Sequence, residues 1–166
     1  MRFCYADPPY YGNGKSKYGY EEWDTKDRHF QLVQQLITEF PEGWALSCNP
    51  KDLQWLLPKC PEGIRVCAWV KPWAAFKPNV NPAFAWEAIL VRGGRKKTRK
   101  EPTERDWISS NITLKRGLAG AKPKKFCLWL FSILGARAGD EFIDMFEGTG
   151  AVSKAWKEYT QQERLI

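Results

Sequence analysis

Asp7-Pro8-Pro9-Tyr10 follows directly on the apolar run Phe3-Cys4-Tyr5-Ala6. Two consecutive prolines cannot continue a sheet ladder, so a strand ending here must turn at once. The turn sets a carboxylate, a proline-fixed carbonyl and an aromatic ring side by side. A carboxylate and a carbonyl can both accept hydrogen bonds from one amino group, and the ring can stack on a planar one. That set suits the exocyclic amino group of a flat heterocycle such as a nucleobase. The same residues also fit a Pro-Pro turn with an incidental Asp.

A second unusual turn is Asp144-Met145-Phe146-Glu147-Gly148-Thr149-Gly150. Gly148 and Gly150 let the backbone bend sharply and approach a ligand, and the helix expected next opens with free N–H groups that favour an anionic group. Taken alone, a plain tight turn satisfies this pattern equally well. If the strands before the two turns are neighbours, both turns face one crevice at the carboxyl ends of the sheet.

The elements that would carry these turns alternate. Strands are expected at Arg2–Ala6, Trp44–Cys48, Ile64–Val70, Phe84–Val91 and Glu141–Phe146. A helix capped by Asp24 carries Phe30, Val33, Leu36, Ile37 and Phe40 at helical spacing and ends at Pro41 to Gly43. Asn49-Pro50 starts a short helix, Lys122-Pro123 opens one with Phe126, Leu130, Ile133 and Leu134 inward, and a last one runs from Ala151 to Tyr159. The class is α/β with a mostly parallel sheet of about five strands, in a single domain over residues 1–166. Trp44, Trp69 and Trp86 fall inside strands and are expected in the core, whereas Trp73 and Trp107 lie in loops and are free to meet a base.

Composition narrows the class. Over 166 residues, 43 % hydrophobic and 27 % charged residues describe a globular chain with a real core, and no apolar run approaches a membrane span. No signal-peptide pattern opens it, and five cysteines, an odd number, point to reduced thiols in a cytoplasm. No C-x-x-C occurs and the only histidine is His29, so a metal site has no support. The net charge of +7 is uneven. Arg92 to Lys125 carries 12 basic and 3 acidic residues, a net of +9, and the remainder 14 and 16, a net of −2. Such a block suggests a polyanion partner, or a solvated basic loop.

Asp7-Pro8-Pro9-Tyr10 resembles the catalytic D-P-P-Y motif of the amino methyltransferases that act on adenine N6 or cytosine N4. Asp144 to Gly150 resembles their S-adenosylmethionine (SAM) loop, and Lys122-Pro123 the Lys-Pro of the segment before that loop in the permuted, β-type members. Trp69-Val70-Lys71-Pro72 and Phe84 to Val91, with Glu87 inside, are similar to the family's middle strands. The order, catalytic motif first and cofactor loop last, is the permuted one. The resemblance implies a Rossmann-like methyltransferase fold and transfer of a methyl group to an amino group of a flipped or unpaired base, adenine N6 in DNA before cytosine N4. RNA as substrate and a module that binds without catalysis are the alternatives.

Residue by residue, the resemblance implies that Asp7 and the Pro8 carbonyl accept from the target amino group, Pro9 shapes the turn and Tyr10 stacks on the base. Ala6, Asp7, Lys122, Asp144, Phe146, Glu147, Gly148, Thr149 and Gly150 would hold the cofactor. The loop after Tyr10 would lie over the target, with Lys15 and Lys17 on phosphate and Tyr18, Tyr20 and Trp23 stacking or packing. The segment at about 92–122 would be the recognition insertion, with Arg92, Arg95, Lys96, Lys97, Arg99 and Lys100 on phosphate. In the family two further strands, which bring acids to the cofactor's ribose and adenine, come after the last helix expected here. Arg164 to Ile166 would begin the first of them, with Glu158 or Glu163 as stand-ins for the acids, or a second copy of the chain would complete the site. The setting implied is the cytoplasm of a bacterium, or of a virus's bacterial host.

Overall fold

A computed structural model describes residues 1–73, 78–113 and 121–163. Six strands form one sheet: β1 (Arg2–Ala6), β2 (Gly43–Cys48), β3 (Arg65–Val70), β4 (Trp86–Gly93), β5 (Trp107–Ser109) and β6 (Glu141–Asp144), in the order β5-β3-β4-β2-β1-β6. Four helices accompany them: α1 (Lys26–Glu39), the single turn α2 (Leu53–Leu56), α3 (Lys124–Leu134) and α4 (Ala151–Glu163). The α/β class and the mostly parallel sheet are as expected, and the structure adds two details. The sheet is mixed, because β4 runs antiparallel to both β2 and β3 while the other three pairings are parallel. It also has a sixth strand, β5, inside the basic stretch; three residues are too few to show a period.

Alternation in the strands sorts the core into two layers. Phe3, Tyr5, Trp69, Ile89 and Val91 point to one face, under α3 and α4. Cys4, Ala6, Trp44, Leu46, Ala88 and Leu90 point to the other, under α1 and α2. All five cysteines are free thiols, and Cys4, Cys48, Cys67 and Cys127 are buried. No described helix is long and apolar enough to cross a membrane.

Helix α1 starts one residue later than expected. Thr25 caps it by accepting from Arg28 N. The Asp24 carboxylate turns the other way and accepts from the backbone N–H groups of Gly14 and Lys15, which holds its pKa below the usual carboxylate value. His29 bonds the Trp23 carbonyl at 3.0 Å. These bonds fasten the Tyr- and Gly-rich loop after Tyr10 to the start of α1. Trp86 is not a core residue: it is the first residue of β4 and 37 % exposed. Residues 164–166, the expected start of a further strand, lie outside the described residues. Glu158 pairs with Lys124 of α3 at 2.6 Å.

The register defines two edges. The parallel strands β1, β2, β3, β5 and β6 end at an upper edge, where β4 begins. Gly43 and Gly93 face each other at the lower edge. Gly93 and Gly94 both have positive φ, and a Cβ on Gly93 would lie 2.6 Å from the Glu42 carbonyl oxygen. Only glycine lets β4 leave the sheet there.

Candidate active site

Strands β1 and β6 pair in parallel, Tyr5 opposite Asp144, and Met145 N donates to the Tyr5 carbonyl at 2.9 Å. The chain leaves β1 for α1 on one face and β6 for α4 on the other. The two strands therefore flank a topological switch point, where the outgoing chains diverge and open a crevice. Both motif-bearing turns sit at that crevice, as expected if their strands were neighbours.

Asp7 is held from two sides. Lys122 Nζ lies 2.9 Å from its Oδ2, and the Tyr10 hydroxyl donates to its Oδ1 at 3.4 Å. The single proton of that hydroxyl has its shorter contact with Glu87 Oε2, at 2.7 Å, and Lys122 Nζ reaches the same oxygen at 3.1 Å. Lys71 pairs with Glu87 Oε1. The ammonium groups of Lys71 and Lys122 also lie about 5 Å from the Trp69 ring, at 4.8 and 5.1 Å. The result is a charge-balanced cluster of two carboxylates and two ammonium groups with little solvent around it. Lys122 is 7 % exposed, Glu87 15 % and Asp7 25 %.

Strand geometry brings these groups together. Glu87 is the second residue of β4 and faces α3, Lys71 follows the end of β3, and Lys122 precedes α3. All are upper-edge positions. Burial raises the Asp7 carboxyl against the pull of Lys122. Burial works on Glu87 in the same direction, but Lys122 and Lys71 outweigh it and hold this carboxyl down to about 2. Burial alone would lower the Lys122 ammonium; Asp7 and Glu87 instead keep it well above its ordinary value. Burial thus raises the Asp7 carboxyl, and a fixed cation beside it opposes that rise.

On the other side of the crevice, burial and the charge of Asp7 push the Asp144 carboxyl up to about 6. Among the described residues its Oδ1 is buried without a hydrogen-bond partner, and its Oδ2 is 3.5 Å from Ser153 Oγ. Gly148 and Gly150 both take positive φ, and a Cβ on Gly150 would meet nothing within 4 Å. Gly150 N donates to the Glu147 carbonyl at 2.6 Å, closing the turn just before α4. Glu147, Gly148 and Thr149 are exposed, while Phe146 packs edge-on against Trp23 at 5.2 Å.

The structure brings Ala6, Asp7, Pro8, Pro9, Tyr10, Lys122, Asp144 and the glycine turn to one edge. Lys122, placed with the cofactor by resemblance, has its described contacts at Asp7, Glu87 and the rings of Trp69 and Phe126. The loop after Tyr10 lies nearby: burial and the Asp7 charge both raise the Tyr18 phenol. In that loop Lys15 pairs with Glu21 at 3.1 Å, Lys17 is exposed, and Trp23 is buried.

The basic stretch is elsewhere. Arg92 is near the lower end of β4, part-buried, its Nε without a hydrogen-bond partner among the described residues. Arg95 grips both Asp140 oxygens at 2.7 Å and donates to the Gly135 carbonyl at 3.0 Å. Its guanidinium is engaged in holding the lower edge closed. Lys96, Lys97, Arg99 and Lys100 are exposed there, with Lys97 Nζ on the Pro102 carbonyl. Charge density in the sequence says nothing of which edge a segment occupies. The register does.

Lys71 and Tyr5 were not singled out in sequence. Tyr5 lies just before Asp7, its hydroxyl 2.7 Å from Ser47 Oγ in the core. An isolated Lys after a strand carries no signal until its partner Glu87, 16 residues on, is placed across the β3–β4 pair.

No family model matches the chain, and no curated protein matches it by sequence. Solved structures do match. The structure of M1.HpyAVI in complex with SAM superposes with a TM-score of 0.66 over 96 % of this chain and 78 % of that one, at 18 % identity. A second structure of M1.HpyAVI gives 0.59 over 96 % and 76 %, at 15 % identity. What is shared at this identity is the fold, a Rossmann-like methyltransferase sheet with helices on both faces.

Proposed function

We propose that this chain is a SAM-dependent amino methyltransferase of the permuted D-P-P-Y type, acting at adenine N6 in DNA. The observation that carries the reading is the Asp7 carboxyl, fixed by Lys122 and Tyr10 at the end of β1 and close enough to Asp144 of β6 to raise its pKa. The fold shared with SAM-bound M1.HpyAVI supports the cofactor.

The residues present fit that cofactor. The orphaned, buried Oδ1 of Asp144 offers an acceptor for a ligand N–H or O–H group, and the open turn at Gly148 and Gly150 leaves room beside the first turn of α4. Ala6, Asp7, Phe146, Glu147 and Thr149 complete the walls. When bound, the cofactor supplies an electrophilic methyl group on a sulfonium.

The chain's own part is positioning. The amino nitrogen of a base is a poor nucleophile because its lone pair is delocalised into the ring. Asp7 and the Pro8 carbonyl, by accepting its two hydrogens, would favour a pyramidal nitrogen whose lone pair is withdrawn from conjugation with the ring. Asp7 can do so only while ionised, and Lys122 opposes the burial that would protonate it. Glu87 holds the Tyr10 hydroxyl, which fixes the ring that would stack on the base. The whole chain acts as one domain, with the segment at about 92–122 as its recognition insertion and DNA preferred to RNA.

Transfer of labelled methyl from SAM to DNA and to RNA tests this, with nucleoside mass spectrometry to identify the base. We expect N6-methyladenine in DNA and a loss of about a hundredfold or more in Asp7→Ala. A folded, SAM-binding protein that labels no nucleic acid would overturn the reading.

A further inference from the structure

The basic stretch leaves the sheet at the lower edge and comes back at the upper one. Strand β5 runs parallel to β3 with Ser109 beside Val70, and Ser110 N donates to the Val70 carbonyl at 3.1 Å. This return limb is fastened on both sides. Trp69 Nε1 donates to Ser110, 2.9 Å from both its carbonyl oxygen and its Oγ, and Lys125 of α3 donates to the Ser109 carbonyl at 3.1 Å. Ile112 packs against the core under α3. Asn111 is therefore presented on a rigid mount. Its Oδ1 accepts from the backbone N–H of Trp73 at 3.3 Å. With that oxygen turned to the backbone, the two amide donors point away from it, and Nδ2 has no partner among the described residues.

Trp73 is 62 % exposed, more than any other large apolar side chain among the described residues, and no described ring or cation lies against it. It stands two residues from Lys71, within about 7 Å along the chain. Lys71 pairs with Glu87, and Glu87 takes the Tyr10 hydroxyl at 2.7 Å. The Trp69 ring faces the ammonium groups of both Lys71 and Lys122. The limb thus borders the cluster around Asp7 through Trp69, and the exposed indole borders it through Lys71. What would meet them follows from the reaction. Extruding a base from a duplex leaves its neighbour unstacked on one face. An open indole supplies a replacement face for any base, and an amide donor beside it can bond an acceptor on that base's edge. In the major groove guanine offers N7 and O6 and thymine O4, whereas cytosine offers a donor.

We propose that Trp73 and Asn111 form a subsite for the DNA base next to the target, the indole stacking on its face and the Asn111 amide donating to an acceptor on its edge. This rests on the reading of the site as one that acts on a nucleobase in DNA. It makes Asn111 a specificity-determining residue. It also gives the basic stretch, whose exposed cations lie at the far edge, a contact that reads sequence.

Duplex oligonucleotides with a central adenine and randomised neighbours test it. The bound fraction is sequenced, and the affinity of one enriched duplex is measured across a salt series. The parent protein should enrich guanine or thymine over cytosine at one neighbouring position by about fivefold. Asn111→Asp keeps the oxygen that holds Trp73 N and replaces the donor by an acceptor, so the preference should turn toward cytosine. Trp73→Ala should weaken binding to every sequence about tenfold at an unchanged salt slope, and Trp73→Phe should restore most of it. Both side chains are exposed, so circular dichroism should show the fold intact. A neighbour preference that is absent in the parent, or unchanged in Asn111→Asp, would overturn the subsite. So would Trp73→Ala affinities within twofold of the parent. A parent that binds no duplex would overturn the subsite together with the reading of the site. Methyl transfer is scored separately. Neighbour-dependent binding that turns in Asn111→Asp, with no methyl uptake, keeps the subsite and sinks the enzyme reading; methyl uptake with an unturned preference does the reverse.

Discussion

The upper and lower edges of the sheet both carry charge, but in opposite physical regimes. At the upper edge Asp7, Glu87, Lys71 and Lys122 are few, balanced and largely withdrawn from water. At the lower edge Lys96, Lys97, Arg99 and Lys100 are many, of one sign and exposed. A withdrawn charge acts through its particular neighbours, because little solvent screens it and losing a partner leaves it uncompensated. An exposed charge acts through number, and salt screens it. Arg95 lies between the regimes, a member of the basic stretch whose partners make it structural.

Four variants would break or sharpen this contrast. The largest effect is expected from Lys122→Met, which strands Asp7 and Glu87. Stability should fall by about 3 kcal/mol in chemical denaturation, with methyl transfer lost. The acid limb should move too. A carboxyl held down to about 2 contributes stability that is present above its ordinary value near 4.5 and lost as pH falls toward 2. Without Lys122 the folded value rises back toward 4.5, so this contribution should shrink and its loss should be complete at a higher pH. An unchanged acid limb would mean that Lys71 alone holds Glu87.

Arg95→Ala should cost about 2 kcal/mol, since it removes a two-pronged bond to Asp140, while nucleic-acid affinity changes little. A large affinity loss in a protein of unchanged stability would move Arg95 into the exposed class.

Asp144→Asn tests the buried class from the other side. Its carboxyl rises from 3.8 to about 6 in the fold, so ionisation opposes folding: stability falls as pH rises from about 4 to 6. The amide should therefore stabilise by on the order of 1 kcal/mol above pH 6, allowing for partial exposure, and by nothing below pH 4. Thermal melts at the two pH values measure it. A gain at both would trace to something other than this proton.

The smallest stability effect is expected from the double change Lys96→Ala with Lys97→Ala, within about 0.5 kcal/mol. Its signature should be a salt slope of nucleic-acid binding reduced by about 2. An unaltered slope would remove the lower edge from the binding surface.

Much of the site was legible because it is local. Asp7, Pro8, Pro9 and Tyr10 are contiguous, and a Pro-Pro turn after an apolar run announces a strand end. Gly148 and Gly150 mark a turn that needs positive φ. The partners that give Asp7 its properties were less legible. Glu87 lies 77 residues from Tyr10 and 35 from Lys122, and nothing short-range in the chain links them. Trp86 was misread because alternation along a strand shows which residues share a face, not whether a helix covers it. The antiparallel entry of β4 escaped notice because an apolar run reads the same in either direction.

The sequence by itself determined the class, the two turns and the block of positive charge, since composition, periodicity and turn chemistry are properties of neighbours in the chain. Tertiary structure alone decided that β1 and β6 are adjacent, that Lys71, Glu87 and Lys122 enclose Asp7, and that the basic stretch leaves from the opposite edge. Those facts depend on strand order and register, and these are set by which apolar faces bury one another across the whole sheet.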